Sequence, residues 1–135
     1  MRKFLIISLL ASSSLIFAGE AEDFKIVNEL YKEKNFKSAL IESEKFLAKY
    51  PESKHQKSMR DKVGKIYFLE KDYKKAEEVF KKLFVMEEKK SEKDEYSSYL
   101  ARINALQNKV DEARFYLREI KNEKTYQKTL FAVGQ

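Results

Sequence analysis

Residues 62–84 read KVGKIYFLEKDYKKAEEVFKKLF, and this stretch decides the fold. Apolar residues recur every three to four positions on both sides of Lys71-Asp72, which is the spacing of helices that each bury one face. The stretch therefore predicts one helical hairpin. The residues expected on its buried faces are Val63, Ile66, Tyr67 and Leu69 or Glu70 in the first helix, and Ala76, Val79, Phe80, Leu83 and Phe84 in the second.

Gly64 lies inside the first of these predicted helices. Glycine in a helix interior costs about 1 kcal/mol relative to alanine, so a close approach by a neighbouring helix is its usual justification. We therefore expect the second helix to pass close to Gly64, with Ala76 opposite it.

The same pattern occurs three times along the chain. Ala39, Ala76 and Ala113 are spaced 37 residues apart, and each lies 13 residues after an apolar residue of the preceding predicted helix, namely Ile26, Val63 and Leu100. The three copies align without a gap inside the hairpin. A fixed period of this length predicts a repeat architecture.

The order of residues in 62–84 resembles a tetratricopeptide (TPR) repeat, with a small residue in the first helix, an acidic turn and then Ala76, Phe80 and Leu83. The stretch 46–54, FLAKYPESK, is similar to repeats of periplasmic envelope TPR proteins of the Tol-Pal-associated and outer-membrane assembly types. The resemblance implies an all-α fold, in which three TPR hairpins stack as a short right-handed α-solenoid with a C-terminal capping helix. We expect hairpins at about 22–50, 55–88 and 93–121, and the cap at about 123–133.

The first and third hairpins follow the middle one with local differences. Ser43 stands where the middle hairpin has Phe80, and we expect Phe46 to fill that space. The run EEKKSEKDE at 87–95 has no apolar residue and is expected to be a solvated helix end and loop. The buried side of the first predicted helix carries Ile26, Val27, Leu30 and Tyr31. The apolar residues that form the third hairpin are Tyr96, Tyr99, Leu100, Ile103 and Leu106 in its first helix and Val110, Ala113, Leu117 and Ile120 in its second. The cap offers Leu130, Phe131 and Val133 to cover the last apolar face of the stack.

The beginning of the chain has the layout of a secretory signal peptide. Arg2 and Lys3 precede an apolar run over 4–17, which is shorter than the roughly 20 residues of a spanning helix. We expect a signal peptide over 1–18, cleaved after Ala18 or alternatively after Ala21, and a TPR domain over 19–135 in the periplasm or cell envelope of a bacterium. The other interpretation is an uncleaved anchor or a buried first helix.

Composition bounds the partners and the chemistry. The formal charge is +6, and without Arg2 and Lys3 the remaining 26 basic and 22 acidic residues give +4, spread along the chain. An acidic protein partner or an anionic envelope surface fits an exported protein with this balance better than nucleic acid does. We expect no small-molecule substrate.

The sequence offers no set of residues for catalysis or metal binding. Cysteine is absent, and His55 is the only histidine, so zinc and haem sites have no ligand set. His55 is expected on the surface. Adjacent carboxylates such as Glu77-Glu78 point apart on a helix, so they cannot form an acid–base pair. We expect neither enzymatic activity nor a cofactor.

The TPR resemblance implies a concave groove, lined by the first helix of each hairpin, that takes a peptide or a helix of a partner. Basic residues there would engage carboxylates, and aromatic residues would anchor the interface. Alternatively, the aromatic residues pack between hairpins and the cations are solvated. The inward-facing candidates are Asn28, Tyr31 and Lys32, then Lys65, Phe68 and Leu69, then Arg102, Ala105 and Leu106. The leading hypothesis is an exported protein-interaction adaptor, and the second is an assembly subunit of an envelope complex that joins through its convex or terminal face.

Overall fold

The computed structural model describes residues 19–134, which form seven helices and no strand. The predicted all-α class is therefore confirmed for this part of the chain, and the predicted signal peptide at 1–18 lies outside it. The helices are α1 (19–32), α2 (Phe36–Lys49), α3 (Gln56–Leu69), α4 (Tyr73–Met86), α5 (Lys90–Leu106), α6 (Val110–Glu119) and α7 (Glu123–Val133).

The chain divides into two compact units, of which the first ends at Met59 and the second begins at Arg60, within α3. The first unit pairs α1 with α2. Asp23 on α1 accepts hydrogen bonds from the Tyr50 hydroxyl at 2.7 Å and from Lys49 Nζ at 2.9 Å. Its core consists of Val27, Phe46, Tyr50 and Met59, with Phe24 and Leu47 packed against them.

The second unit is built around α5, which contacts α4, α6 and α7. One core lies between α4 and α5 and contains Ala76, Phe80, Leu83, Tyr96, Leu100 and Ile103. A smaller cluster of Ala101, Leu117 and Ile120 packs against Tyr126 and Val133 of α7. Ala101 of α5 is the small member of this cluster, and α7 packs beside both α5 and α6.

We predicted that α4 passes close to Gly64 of α3, and the structure confirms a tight contact there. A Cβ at position 64 would lie 3.0 Å from both Phe80 Cζ and Val79 Cγ1. The predicted partner was wrong in detail, because the nearest atoms belong to Phe80 and Val79 and not to Ala76. The ring of Phe80 needs more room than the methyl group of Ala76 would, and the absence of a Cβ on Gly64 provides that room.

The turn inside each hairpin has the same backbone geometry in all three copies. Lys34, Lys71 and Asn108 have φ of 60°, 63° and 58°, and these positions are 37 residues apart. In each copy the next residue's N–H donates to the carbonyl five residues back, at 2.9 Å, which closes a Schellman motif. The 37-residue period of the sequence is therefore also a period of the backbone conformation.

The second helix of each hairpin begins two residues after the residue with positive φ, so one residue lies between them. Asn35 and Asp72 cap α2 and α4, since their side chains accept hydrogen bonds from the N–H groups of Ser38 and Lys75. Lys109 occupies the same position before α6 and makes no side-chain cap. Its Nζ instead donates to Glu77 of α4 at 3.0 Å.

Glu77 is a buried carboxylate that three side chains bind. Lys81, Lys109 and Gln107 donate to its oxygens at 2.7, 3.0 and 3.1 Å. Burial alone would raise the pKa of Glu77, but the hydrogen bonds from these three residues outweigh it and lower the pKa to about 2. The neighbouring Glu78 is exposed, so the two carboxylates do point apart.

Several residues expected on buried faces are exposed. Ile26 is exposed because Val27 holds the core position on α1, and adjacent helical residues point about 100° apart. Leu69 is 53% exposed and Glu70 is also exposed, since they end α3 at the turn. Val110, the first residue of α6, is likewise exposed. Each of these helices therefore buries fewer of its apolar residues than their spacing in the sequence indicated.

The polar run at 87–95 is in part the solvated helix end and loop that we predicted, since 87–89 lie outside any helix and 88–91 are exposed, but the burial of Asp94 was not expected. Most of it belongs to α5, which begins at Lys90. Asp94 is buried, and its two carboxylate oxygens accept hydrogen bonds from the backbone N–H groups of Lys121 and Asn122 at 2.9 and 2.8 Å. A charged residue in a polar run thus fixes the α6–α7 loop.

The predicted capping segment is helical, but the residues that bury it differ from those expected. Tyr126, Thr129 and Val133 face α5 and α6, at helical spacing, and the Thr129 hydroxyl pairs with that of Ser98 at 2.6 Å. Leu130 and Phe131 are exposed, which corrects the expectation that they cover the end of the core. Phe131 lies about 140° from Tyr126 around α7, whereas Leu130 lines a cavity of about 340 Å³ with Ala113 and Leu117 of α6.

Candidate functional site

Lys65 on α3 is engaged by acidic residues of the protein itself. Its Nζ lies 2.8 Å from Glu95 Oε1 and 2.9 Å from Asp61 Oδ2. Burial opposes the charge on Lys65, but the hydrogen bonds to Glu95 and Asp61 outweigh burial and raise its pKa. Burial raises the pKa of Asp61 despite the pairing with Lys65. Lys65 therefore serves to join α3 to α5.

Two of the predicted groove residues, Phe68 and Arg102, are in contact with each other. The Arg102 guanidinium carbon lies 4.7 Å from the centroid of the Phe68 ring and 5.8 Å from that of Tyr99. Phe68 in turn meets Tyr99 edge to face at 5.3 Å. Cation–π contacts of this kind hold a guanidinium in place and leave its N–H donors at the edge of the plane available.

A cleft of about 550 Å³ lies between the C-terminal halves of α5 and α7, and we call it the apolar cleft because five of its seven lining residues are apolar. Leu106 and Phe131 are 53% and 71% exposed at this cleft, so both present large apolar side chains to solvent. Arg102 supplies the one cation of its lining. The residues that define this apolar cleft are Arg102, Ala105, Leu106, Asn108, Phe131, Ala132 and Val133.

A second opening, the polar cleft, lies between the N-terminal halves of α5 and α7 and has a volume of about 380 Å³. Arg102 lines both clefts, so they are neighbours along α5. The residues that define the polar cleft are Ser91, Glu95, Ser98, Tyr99, Arg102, Thr125 and Lys128.

Three predicted site residues belong to the first unit. Asn28 donates its side-chain N–H to the carbonyl of Phe24 at 2.9 Å, which is a contact within α1. Tyr31 meets Phe36 edge to face at 5.6 Å, so it packs at the turn of its own hairpin. Lys32 is exposed.

Of the other predicted residues, Arg102, Ala105 and Leu106 share the apolar cleft, whereas Leu69 is not part of its lining.

Sequence reasoning missed the contribution of α7. Lys128 and Thr125 line the polar cleft, and Phe131 lines the apolar cleft. Tyr126 and Val133 lie seven positions apart, which is two helical turns, and Phe131 falls about 140° from Tyr126 around the helix. That spacing was a usable signal that Phe131 faces away from the buried side.

His55 is not simply a surface residue. Its ring stacks on that of Phe24 with centroids 3.8 Å apart and an angle of 23° between the planes, and the residue is half-buried. The expectation of an exposed histidine was therefore wrong. Among residues 19–134, no three His, Asp or Glu side chains are placed to hold a metal ion.

Comparison with protein-family models gives no match, and no curated protein or solved structure matches the chain. None of the helices in the described part combines the length and the apolar character that crossing a membrane requires.

Proposed function

We propose that the protein is an exported TPR adaptor of the cell envelope that binds a peptide or helix of a protein partner. One observation carries this proposal, namely the apolar cleft between α5 and α7, where Leu106 and Phe131 are exposed beside Arg102. Exposed apolar side chains beside a cation whose position is fixed are typical of the residues that anchor a protein interface. A cleft of this kind, without an acid–base pair, suits binding and not catalysis.

The repeated turn supports the TPR part of the proposal. Three hairpins with the same Schellman geometry every 37 residues are what successive copies of one supersecondary unit would produce. Gly64 against Phe80 and the buried Ala39, Ala76 and Ala113 fit the small-against-large packing of such a unit. In the second unit, the proposed groove runs along α3, α5 and α7.

Export is part of the same proposal, with a signal peptide over 1–18. The carboxylate of Glu20 accepts a hydrogen bond from the Ser53 hydroxyl, and Asp23 binds Lys49 and Tyr50. Cleavage after Ala18 retains the Glu20 contact, whereas cleavage after Ala21 would remove it. Mass spectrometry of the protein from its native cells should find Gly19 at the N-terminus. A chain that begins at Met1 would contradict a cleaved signal peptide.

The proposed binding site can be tested with a matched pair of exposed positions. Leu106→Glu places a charge in the apolar cleft, and Met86→Glu places one at the end of α4, where Met86 is 79% exposed. Both variants should fold, since neither side chain is buried. In a pull-down from native envelopes, we expect Leu106→Glu to lose the partner and Met86→Glu to keep it. Unchanged recovery with both variants would refute the cleft as the site.

The alternative is an assembly subunit that joins through a face outside the clefts. Val85 and Met86 favour it, because these adjacent apolar residues at the end of α4 are both highly exposed. This function predicts the opposite result, with loss of the complex in Met86→Glu alone. It also predicts a size in solution that grows with protein concentration, whereas an adaptor stays at one size without its partner.

A further inference from the structure

The polar cleft contains two cations that no acidic group of the described chain neutralises. Within residues 19–134, neither Arg102 nor Lys128 forms an ion pair. The one carboxylate in the lining, that of Glu95, already binds Lys65 Nζ at 2.8 Å. The cleft therefore carries a positive excess, which favours an anion.

Two aromatic rings hold the guanidinium of Arg102 in place. The rings of Phe68 and Tyr99 lie against its guanidinium, at 4.7 and 5.8 Å from their centroids. A guanidinium binds a carboxylate through two parallel N–H bonds in its own plane, so contact with its faces does not block them. Because the side chain is already ordered, less conformational entropy is lost when the anion binds.

Three serine and threonine hydroxyl groups also line the polar cleft, and two of them are already hydrogen-bonded. Ser98 on α5 pairs with the Thr129 hydroxyl at 2.6 Å, and Thr125 on α7 donates to Asn122 Oδ1 at 3.1 Å. The cations Arg102 and Lys128 are therefore the groups that an anion in the cleft would meet. The volume of about 380 Å³ admits a side chain but not a helix. The cleft is thus sized for one acidic group and its immediate neighbours.

We propose that the polar cleft binds a side-chain carboxylate of the partner, while the apolar cleft takes an apolar side chain next to it. This inference rests on the proposed function, and it specifies the chemistry of the segment that is bound. Arg102 lines both clefts, so the two side chains must be close neighbours in the partner. The recognised element is therefore an Asp or Glu beside a large apolar residue.

The test uses the purified protein and a capped tetrapeptide of the sequence Leu-Glu-Glu-Leu, followed by NMR of the arginine Nε–H signals. The Arg102 signal, assigned through its loss in Arg102→Gln, should shift in a saturable way. The Leu-Gln-Gln-Leu peptide should bind at least about tenfold more weakly, since a hydrogen bond to a charged group is lost. Lys128→Gln should also weaken binding about tenfold, and Arg118→Gln, on the exposed surface of α6, should leave it unchanged.

Three results would overturn the proposal. The Glu and Gln peptides would bind equally if the carboxylate is not recognised. Inorganic phosphate would shift the Arg102 signal at lower concentration than the Glu peptide if the cleft is a phosphate site. Arg118→Gln would weaken binding as much as Lys128→Gln if only net charge matters. Each result can occur while Leu106→Glu still abolishes the pull-down, so the carboxylate subsite can fail without the adaptor function failing.

Discussion

Gly64 of α3 lies against the ring of Phe80 of α4, so closely that a Cβ on residue 64 would be 3.0 Å from Phe80 Cζ. Phe80 is fully buried and also stacks on Tyr99 of α5, with ring centroids 4.5 Å apart. One glycine therefore sets the position of a ring that joins three helices. The core of the second unit depends on this contact.

Gly64→Ala should not stabilise the protein, and should lower the free energy of unfolding by up to about 2 kcal/mol. Alanine gains about 1 kcal/mol of helix propensity, but the new methyl group must displace Phe80 and Val79, and overpacking of a filled core costs about 1–3 kcal/mol. Chemical denaturation of the two proteins measures the difference. A gain of about 1 kcal/mol, as propensity alone would give, would show that the two helices are not in tight contact at this position.

Lys71→Gly should raise the free energy of unfolding by about 0.5–1 kcal/mol. Lys71 has φ of 63° at the end of α3, a conformation that glycine adopts without the steric cost of a Cβ. The control is Lys82→Gly, which places glycine at an exposed position in the interior of α4 and should cost about 1 kcal/mol. Thermal unfolding of both variants provides the test, and a loss of stability in Lys71→Gly would contradict the turn geometry.

Glu77→Gln should destabilise the fold by about 1–3 kcal/mol at pH 7, because it removes a bound charge. The pKa of Glu77 in the folded protein is about 2, below its ordinary value of 4.5. The stabilisation by the charge is therefore complete above about pH 5 and is lost as the pH falls toward 2. Unfolding curves at several pH values should show the two proteins converging in acid.

The exposed neighbour Glu78 provides the control for that experiment, since Glu78→Gln should change stability by less than about 0.5 kcal/mol at any pH. If the loss in Glu77→Gln were the same at pH 2 and pH 7, the effect would come from the shape of the side chain and not from its charge.

The repeat and the turns were predictable because they depend on local chemistry. The period of 37 residues located the turns at Asn35, Asp72 and Lys109, and φ/ψ values at these positions agree closely among the copies. The roles of Asp94 and Glu77 were not predictable, since each carboxylate binds groups about 30 residues away in sequence. A polar residue in a polar run gives no sign that a distant loop or lysine will reach it.

Part of the candidate site was also predictable, because it depends on the local pattern of one helix. Arg102 and Leu106 follow from their places on a predicted first helix, and the structure brings them together in one cleft. The opposite wall, with Lys128 and Phe131, depends on the rotation of α7 about its axis. That rotation is set by Ala101, Leu117 and Ile120, against which Tyr126 and Val133 pack. The seven-residue spacing of Tyr126 and Val133 indicates which side of α7 is buried, but it does not indicate which helices that side meets.

Site-specific photocrosslinking tests the central claim, that a partner binds between α5 and α7, most directly. A photoreactive amino acid is placed at Leu106, at Phe131 or, as the control, at Val85, which is 78% exposed on α4. Irradiation of native cells should join the same partner protein to positions 106 and 131 and not to position 85. A partner joined only at position 85 would contradict the account and would identify the end of α4 as the interface.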